Sequence, residues 1–443
     1  MRRGRLWPRV LAVAAWLPLT ACVTLGGRPV EAEGREGAEL RTLVLMLDGV
    51  PYEVMDSLWR AGHFRGFRAP SRLVSPFPSL TNVAFPRMWG ESPPPGYEDR
   101  YFDREENRLR GGLLEHMVQP GEHSSFHRHV EVEADGVTAA LAYLLPGPIA
   151  RKELADFRHE LERRAVRDST VVAYLMSTDA LAHQAGREEL VEFLLEVEAL
   201  LEATRERYGP DLRILVFSDH GNDFVPTRRV PLEDALRQAG FRAARRIEAD
   251  HDVVLPRFGL VGSAFLYTAP AAEARLAAAL QEVPGVDLIL FEDEAGRIHV
   301  WSRRGRAEVE AREGRYRYAP VTGDPLGFGP VLERLRASGE LDSAGFAPDS
   351  AWLRESLGTP YVDALRRIEL ALRGAVRHPA SVLVSFEPGY HYGDPAADAL
   401  VQMKGTHGSL GTRSSLAFFM STHIEAPPVL RSDDVARFLP RSP

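Results

Sequence analysis

Short apolar runs alternate with amphipathic segments along most of this chain. Runs such as residues 43–47 contain only aliphatic side chains and methionine, and runs of this length are typical of strands buried on both faces. We predict strands over 42–48, 170–177, 212–218, 380–386 and 415–421. Apolar residues at helical spacing predict helices over 51–61, 150–166, 186–207 and 432–439. This alternation indicates an α/β fold with a mostly parallel central sheet.

Residues 226–376 break the alternation, because their apolar segments are shorter and more mixed. We predict strands over 260–268, 286–291 and 297–302 and a helix over 271–282. The segment is therefore expected to form a smaller inserted α+β cap (226–376), and 41–225 together with 377–443 to form the core. The strand at 380–386 is expected to return to the core sheet.

The N-terminal residues are expected to lie outside the fold. Basic residues precede an apolar stretch over 10–19, which is typical of a secretory signal peptide and short for a membrane span. The stretch ends in Leu19-Thr20-Ala21-Cys22, similar to a bacterial lipoprotein signal. We predict a signal peptide (1–21), a lipid anchor on Cys22 and a flexible tether (22–40). The alternative is a chance cysteine beside an ordinary cleavage site.

This anchor would place the protein on the periplasmic side of the bacterial cell envelope. Val23 follows the cysteine, which by the usual lipoprotein sorting pattern favours the outer membrane. The 443 residues are 44% hydrophobic and 26% charged, as in an ordinary globular protein. Their formal net charge is −8 and they contain no basic stripe, so binding to duplex nucleic acid is not expected.

Acidic and histidine residues stand where the predicted strands end, and the carboxyl ends of parallel strands line the ligand crevice of an open α/β sheet. The sequence contains six such residues, which are Asp48, Asp179, His183, Asp219, His220 and His407. So many charged groups in one crevice require cations, and we predict two metal ions. Carboxylate and imidazole ligands without thiolates suit zinc, with manganese or iron as alternatives. Three protein ligands for each ion would leave positions open for substrate or water, as in catalytic sites.

Thr81 is a candidate nucleophile. It lies in Phe77-Pro78-Ser79-Leu80-Thr81-Asn82, where a loop is expected to open a helix. A threonine hydroxyl needs a base or a metal to become nucleophilic, and a helix N-terminus favours a phosphate beside it. The alternative is an N-cap threonine without a catalytic role.

These residues stand in motifs that resemble the alkaline phosphatase superfamily, and in particular its type I phosphodiesterase/nucleotide pyrophosphatase branch. The matching motifs, in the order of that branch, are Asp48-Gly49, Pro78-Ser79-Leu80-Thr81, Thr178-Asp179-Ala180-Leu181-Ala182-His183-Gln184-Ala185-Gly186, Ser218-Asp219-His220-Gly221 and Gly405-Thr406-His407-Gly408. The resemblance covers about 41–225 and 378–424 and implies an alkaline-phosphatase-like α/β/α sandwich. It also implies hydrolysis of a phosphate ester through two divalent ions, expected to be Zn²⁺, on either side of the displacement.

The resemblance also assigns roles to these residues. One ion would be held by Asp48, Asp219 and His220 and would also bind and activate Thr81. The other would be held by Asp179, His183 and His407, stabilise the leaving oxygen, and then activate the water that hydrolyses a phosphothreonine. Asn82 follows the nucleophile and is a candidate substrate contact, although an ordinary residue at the start of a helix explains it equally well.

One departure from the branch affects the expected substrate. Its phosphodiesterases carry an asparagine that helps to stabilise the phosphoryl oxygens, and here the aligned residue is Asp99, followed by Arg100. An ionised carboxylate cannot donate a hydrogen bond, so Arg100 is a candidate replacement. We expect a phosphodiesterase acting on a small-molecule or lipid headgroup ester. A phosphomonoesterase and a non-catalytic binding lipoprotein are the alternatives.

Two further groups of residues have no assigned role. The histidines at positions 116, 123, 127 and 129 are expected to lie in a solvated loop near the site, with a third metal site as the alternative. The segment with Glu387, Tyr390, His391 and Tyr392 could line the pocket or pack as aromatic core.

Overall fold

The computed structural model describes residues 39–112 and 125–440. Its strands are β1 (Thr42–Leu47), β2 (Ser71–Val74), β3 (Arg100–Asp103), β4 (Arg108–Gly111), β5 (Thr170–Leu175), β6 (Arg213–Ser218), β7 (Arg228–Arg229), β8 (Arg242–Ala243), β9 (Asp252–Val253), β10 (Ser263–Leu266), β11 (Val286–Glu292), β12 (Ile298–Ser302), β13 (Gly305–Arg312), β14 (Arg315–Gly323), β15 (Ala347–Pro348), β16 (Val382–Phe386), β17 (Tyr390–His391), β18 (Leu416–Ser421) and β19 (Val429–Arg431).

The helices lie between these strands and at the chain end. They are α1 (Tyr52–Ala61), α2 (Thr81–Met88), α3 (Gly136–Ala142), α4 (Pro146–Arg164), α5 (Ser177–Ala180), α6 (Arg187–Tyr208), α7 (Leu232–Gln238), α8 (Glu273–Leu280), α9 (Gly329–Ala337), α10 (Asp349–Ser356), α11 (Ala364–Arg373), α12 (Pro395–Leu400), α13 (Thr412–Ser415) and α14 (Ser432–Val435). A π-helical turn, Leu181–Ala185, follows α5. None of the helices within the described ranges is long and apolar enough to span a bilayer.

The first sheet has six strands in the order β19-β2-β18-β6-β1-β5, and only β18 runs antiparallel to the rest. Alternate residues of β1 enter different cores because successive side chains of a strand point to opposite faces. Leu43, Leu45 and Leu47 pack with α1, α4 and α6, whereas Val44 and Met46 pack with α2 and α14. Helices thus cover both faces, and the predicted α/β fold with a mostly parallel central sheet is confirmed.

The second sheet has seven antiparallel strands in the order β10-β16-β11-β12-β13-β14-β15. The expectation that the strand at 380–386 returns to the first sheet is wrong, because β16 lies between β10 and β11. Leu383 enters one core and Val382 and Val384 enter another. A strand that is apolar on both faces fits either sheet, so its pattern alone does not select a partner. The division into core and cap stays a prediction.

Several predicted features lie outside the described residues. They are the signal peptide, the lipid anchor on Cys22, nearly all of the tether, and His116 and His123.

Candidate active site

The strands of the first sheet bring the predicted ligands to one edge. In the register of β1 with its two neighbours, Leu47 pairs with Leu175 on one side and with Ser218 on the other. The three strands therefore end level. Asp48 and Asp219 each follow a strand end directly, and Asp179 lies in the short helix α5 just beyond β5.

Asp48, Asp219 and His220 form one cluster. The His220 Nε2 atom lies 3.4 Å from Asp48 Oδ1 and 3.4 Å from Asp219 Oδ2. All three side chains are buried, and their ligand atoms lie within 4.8 Å of one another. This is the set predicted for one metal ion.

Asp179 stands at the centre of the other cluster. Its Oδ1 atom is 3.1 Å from His183 Nε2 and 3.7 Å from His407 Nε2. The compact group within 4.8 Å consists of Asp179, His220 and His407, so His220 belongs to both clusters and the two adjoin. His183, predicted as a ligand here, contacts Asp179 but lies outside that compact group.

Each of the three histidines is held by a backbone carbonyl. The Nδ1 atoms of His183, His220 and His407 lie 2.7, 3.0 and 2.8 Å from carbonyl oxygens of Gly405, Gly221 and Ser79, respectively. A carbonyl oxygen only accepts, so Nδ1 carries a proton, and Nε2 is left to face the cluster, where its lone pair can bind a metal ion once that atom is deprotonated. Metal-binding histidines are commonly oriented in this way.

Each of the three carboxylates has one oxygen held by the protein. The Tyr174 hydroxyl donates to Asp48 Oδ2, the Tyr143 hydroxyl donates to Asp179 Oδ2 over 2.9 Å, and the Gly49 amide donates to Asp219 Oδ1 over 3.1 Å. The other oxygens of Asp179 and Asp219 are buried and have no hydrogen-bond donor. Because a buried carboxylate oxygen requires a partner, the two orphaned oxygens and the three Nε2 lone pairs fit divalent cations.

The pKa values show the same imbalance of charge. Burial raises the pKa of Asp48, and it raises the pKa of Asp219 to about 7. For His220, burial opposes the charged form but the surrounding carboxylates outweigh it and raise the pKa to about 10. For Asp179, burial is outweighed by the neighbouring histidines, which lower its pKa. In the protein alone, protons must therefore balance the carboxylates, a role that metal ions can take over.

Gly49 leaves room for this arrangement. Its φ is +65°, and a Cβ atom there would lie 2.6 Å from Asp179 Oδ1 and 3.1 Å from His220 Cε1. A side chain at this position would therefore push into both clusters.

Thr81 is the first residue of α2, and its hydroxyl points to the first cluster. The Oγ1 atom lies 3.2 Å from Asp48 Oδ1 and 3.4 Å from His220 Nε2. The N-cap of the helix is Leu80, and no side chain caps it. The interpretation of Thr81 as an N-cap is therefore wrong, since its hydroxyl contacts the first cluster and not the helix backbone.

A cavity of about 530 Å³ opens above the clusters. Thr81, Asn82 and Asp99 line it, and Asn82 Nδ2 donates to Asp99 Oδ1 over 2.8 Å. Arg100 lines a different cavity, because successive residues at the start of β3 face opposite ways. The lining combines aromatic and aliphatic groups (Tyr97, Phe126, Phe258, Leu80, Val261, Met176) with the carboxylates of Glu98, Asp99 and Glu133.

Comparison with known proteins identifies the family to which the chain belongs. The type I phosphodiesterase / nucleotide pyrophosphatase family matches residues 84–324, more than half of the chain. The chain belongs to this family. The match includes Asp179, His183, Asp219 and His220, whereas Asp48, Thr81 and His407 lie outside it. Members of the family are metal-dependent phosphoesterases, so the protein is a hydrolase that acts on phosphoester bonds.

Solved structures also resemble the chain. Phosphonoacetate hydrolase from Sinorhizobium meliloti 1021 is 14% identical, with 91% of this chain and 96% of that one covered and a TM-score of 0.47. Human ectonucleotide pyrophosphatase / phosphodiesterase 5 is 10% identical, with coverages of 90% and 93% and a TM-score of 0.48. No curated protein sequence matches the chain.

Two buried ionisable residues, Glu153 and Arg367, hold the backbone segments that carry the site of this phosphodiesterase family member. Glu153, on α4, accepts hydrogen bonds from the backbone amides of Met176 and Ser177 over 3.1 and 3.0 Å and so fixes the start of α5, which carries Asp179. Arg367, on α11, donates to the Pro76 carbonyl and the Ser79 and Ser415 hydroxyls, and to the carbonyls of Val362 and Leu410. It thereby joins the loop before Thr81 to the loop after His407.

The remaining residues singled out in the sequence lie apart from the clusters or at the cavity edge. His127 lines the cavity and contacts Glu133, and His129 contacts Glu91 at 2.6 Å and stacks on Trp89. His391 is buried between Thr227 and Asp398. Neither Glu387 nor Tyr390 is among the described residues that line the cavity.

Sequence reasoning missed Tyr143, Tyr174, Glu153 and Arg367. Tyr174 stands inside a predicted strand, where an aromatic residue indicates core packing. Its only signal is its place one residue before the end of a strand that leads to a predicted ligand.

Proposed function

We propose that the protein is a phosphodiesterase that uses two divalent metal ions, in the cell Zn²⁺, and Thr81 as its nucleophile. The observation that carries the proposal is the position of Thr81 Oγ1, 3.2 Å from Asp48 and 3.4 Å from His220. This hydroxyl lies beside one cluster and opens onto the cavity. An activated hydroxyl in such a position can attack an ester that enters from above.

Some residues of the site would bind the metal ions, and others would act on the substrate. Asp48, Asp219 and His220 would hold one ion, and Asp179, His183 and His407 the other. Bound there, the ions would supply Lewis-acid stabilisation of the charge on the phosphoryl, attacking and leaving oxygens. Asp48 Oδ1 is an acceptor in reach of the Thr81 proton. Thr81 Oγ1 would form a bond to phosphorus as the bond to one ester oxygen breaks, and water would then release the phosphoryl group from Thr81.

The cavity wall favours a diester over a monoester. Within the described part of the chain, no lysine or arginine lines the cavity, while Asp99 and Glu133 do. A dianionic monoester would meet these carboxylates without a cationic side chain to compensate. A diester carries one charge fewer, and its second ester group can pack against Phe126 and Phe258. We therefore propose a small-molecule diester as the substrate.

The test compares two chromogenic esters. Zinc-loaded protein lacking residues 1–22 is assayed with bis-p-nitrophenyl phosphate and with p-nitrophenyl phosphate, with and without chelator. We expect chelator-sensitive turnover with a higher kcat/KM for the diester. A preference for the monoester would identify a phosphomonoesterase, and no turnover of either ester with metal bound would point to a binding protein.

We also propose that the chain is exported and lipidated on Cys22, as its N-terminal sequence suggests. Metabolic labelling with a fatty acid in a bacterial host should label the wild-type chain and not Cys22→Ser. Equal labelling of the two would refute the anchor.

A further inference from the structure

A second cavity, of about 280 Å³, lies beside the catalytic one and has the opposite charge. Three arginines and one glutamate face it together with apolar groups, and its lining consists of Arg100, Leu109, Glu233, Ala243, Ala244, Arg245, Leu255, Arg257 and Tyr392. Its volume is close to the lower end of the range for small-molecule sites. We call it the arginine cavity.

The single carboxylate of this lining is already engaged. Glu233 Oε1 accepts from the Tyr392 hydroxyl over 2.7 Å and lies 2.8 Å from Arg229, which is outside the cavity, and 3.3 Å from Arg257. Burial opposes its ionisation, but Tyr392 and the arginines outweigh burial and lower its pKa. Glu233 is therefore ionised, and Arg229 alone suffices to balance it.

The other two arginines are uncompensated. Neither Arg100 nor Arg245 makes an ion pair within 4.0 Å or a side-chain hydrogen bond in the described ranges. Both residues line a concave, partly apolar space. Guanidinium forks of this kind bind phosphate and carboxylate oxygens in pairs.

The two cavities share their walls. Asp99 faces the catalytic cavity and Arg100 the arginine cavity; likewise, Phe258 and Gly259 line the first and Arg257 the second. The Gly259 amide donates to Glu98 Oε1 over 2.7 Å and joins the two wall segments. The segments 98–100 and 257–259 therefore border both cavities.

We propose that the arginine cavity binds a second anionic group of the substrate, a phosphate or a carboxylate, remote from the diester that reacts. This inference rests on the proposed phosphodiesterase function. Asp99 and Glu133 in the catalytic cavity repel such a group, whereas Arg100, Arg245 and Arg257 in the arginine cavity attract it. Leu109, Leu255 and Tyr392 would contact the apolar part that carries it.

The test uses two esters that differ in one remote phosphate: the p-nitrophenyl ester of thymidine 5′-phosphate, and the same ester with a 3′-phosphate. In the zinc-loaded wild type, the 3′-phosphate should raise kcat/KM about tenfold or more, as expected for charge-assisted hydrogen bonds. In Arg245→Gln this ratio should fall towards one. It should persist in Arg237→Gln, a matched control whose exposed side chain pairs with Asp234 outside the cavity. A ratio near one in the wild type, or an unchanged ratio in Arg245→Gln, would overturn the proposal.

A binding measurement separates this proposal from the function on which it rests. Thymidine 3′-phosphate is titrated calorimetrically into the wild type, Arg100→Gln, Arg245→Gln and Arg237→Gln. We expect about tenfold weaker binding in the first two variants only. Equal affinity in all four would overturn the arginine cavity even if the enzyme hydrolyses diesters. Weakened binding without any hydrolysis would support the anion site and refute the proposed function. If thymidine 3′-phosphate binds more weakly to the two variants but the wild type hydrolyses both esters with equal kcat/KM, the cavity binds a separate anionic ligand. That result would overturn its assignment to the substrate.

Discussion

Replacing Arg367 by methionine should disable the site without removing its metal ligands. The residue is 2% exposed and contacts the loop that leads to Thr81. Its Nη2 donates to the Pro76 carbonyl and the Ser79 hydroxyl, and its Nη1 donates to the Leu410 carbonyl over 3.0 Å. Methionine fills a similar volume and donates nothing.

The expected loss of stability follows from what stays bonded. The Pro76 carbonyl keeps the Ser79 hydroxyl at 3.2 Å, whereas the Val362 carbonyl loses the Arg367 donor. The Leu410 carbonyl keeps only a long contact of 3.4 Å to the Ser415 hydroxyl, which has a closer acceptor in the Gly411 carbonyl at 2.7 Å. One buried carbonyl without that donor costs about 1–3 kcal/mol, and further weakened bonds about 1 kcal/mol. Removal of a buried charge, whose pKa burial lowers to about 9, offsets part of this cost. We expect a net loss of about 2–3 kcal/mol.

The loss of activity should be larger than the loss of stability suggests. The His407 ring is held by the Ser79 carbonyl at 2.8 Å, so a shift of this loop moves a predicted ligand and the nucleophile together. A displacement of about 1 Å costs on the order of 100-fold in rate. We therefore expect kcat for bis-p-nitrophenyl phosphate to fall about 100-fold with KM changed much less.

The assay combines denaturant unfolding, zinc content and steady-state kinetics on the same samples. Arg366→Met is the matched control, since this neighbour on α11 faces outward and pairs with Asp433 at 3.0 Å; it should lose at most about 1 kcal/mol and little activity. Added guanidinium at low concentration should restore part of the activity of Arg367→Ala. Wild-type kcat in a folded Arg367→Met protein would refute the positioning role.

Three further predictions concern the clusters and the cavity wall. Gly49→Ala should abolish metal binding and turnover, because its Cβ would lie 2.6 Å from Asp179 Oδ1. The control Gly240→Ala, at a position with φ +78° and open space around it, should lose only about 1 kcal/mol of unfolding free energy. A Gly49→Ala protein that binds its full complement of metal would contradict the prediction. Burial raises the pKa of Glu98 from 4.5 to about 8, so its contribution to stability is full below the unfolded pKa and is lost as the pH rises towards 8. Relative to Glu98→Gln, the wild type should lose about 2 kcal/mol between about pH 5 and about pH 8, after allowance for partial exposure, and parallel pH profiles would be inconsistent with this shift. Removal of metal by chelator should lower the unfolding midpoint. Zinc at a hundredfold excess over its Kd should restore about 2.7 kcal/mol of unfolding free energy for each site. An unfolding midpoint that chelator does not change would contradict bound metal.

The level ends of β1, β5 and β6 explain why so much of the site could be predicted. In a parallel sheet, the residues that follow the carboxyl ends of the strands lie at a common edge, so Asp48, Asp179 and Asp219 could be grouped from their positions shortly after apolar runs. Their hydroxyl donors could not, because Tyr143 and Tyr174 reach the carboxylates through contacts that depend on helix packing and strand register. Tyr174 pairs with Met46, two residues before Asp48.

The sequence carried a signal for Arg367 that was missed, and for Arg100, a predicted substrate contact, it carried a signal for the direction of the side chain. Arg367 stands three residues after Ala364 and four before Ala371 on the apolar stripe of α11, where a charge is unusual and needs buried partners. Arg100 follows Asp99 at the start of a strand, and alternation alone sends the two side chains to opposite sides. The strands that pair with β16, in contrast, could not be predicted, because a run that is apolar on both faces fits either sheet.

Diester turnover by Thr81→Ala and the wild type, measured at known zinc content, decides whether Thr81 is the nucleophile. We expect about two zinc ions per chain in both proteins, with turnover of bis-p-nitrophenyl phosphate in the wild type only. Asp219→Ala should lose one zinc ion as well as activity. Substantial turnover by metal-replete Thr81→Ala would contradict the assignment of Thr81 as the nucleophile.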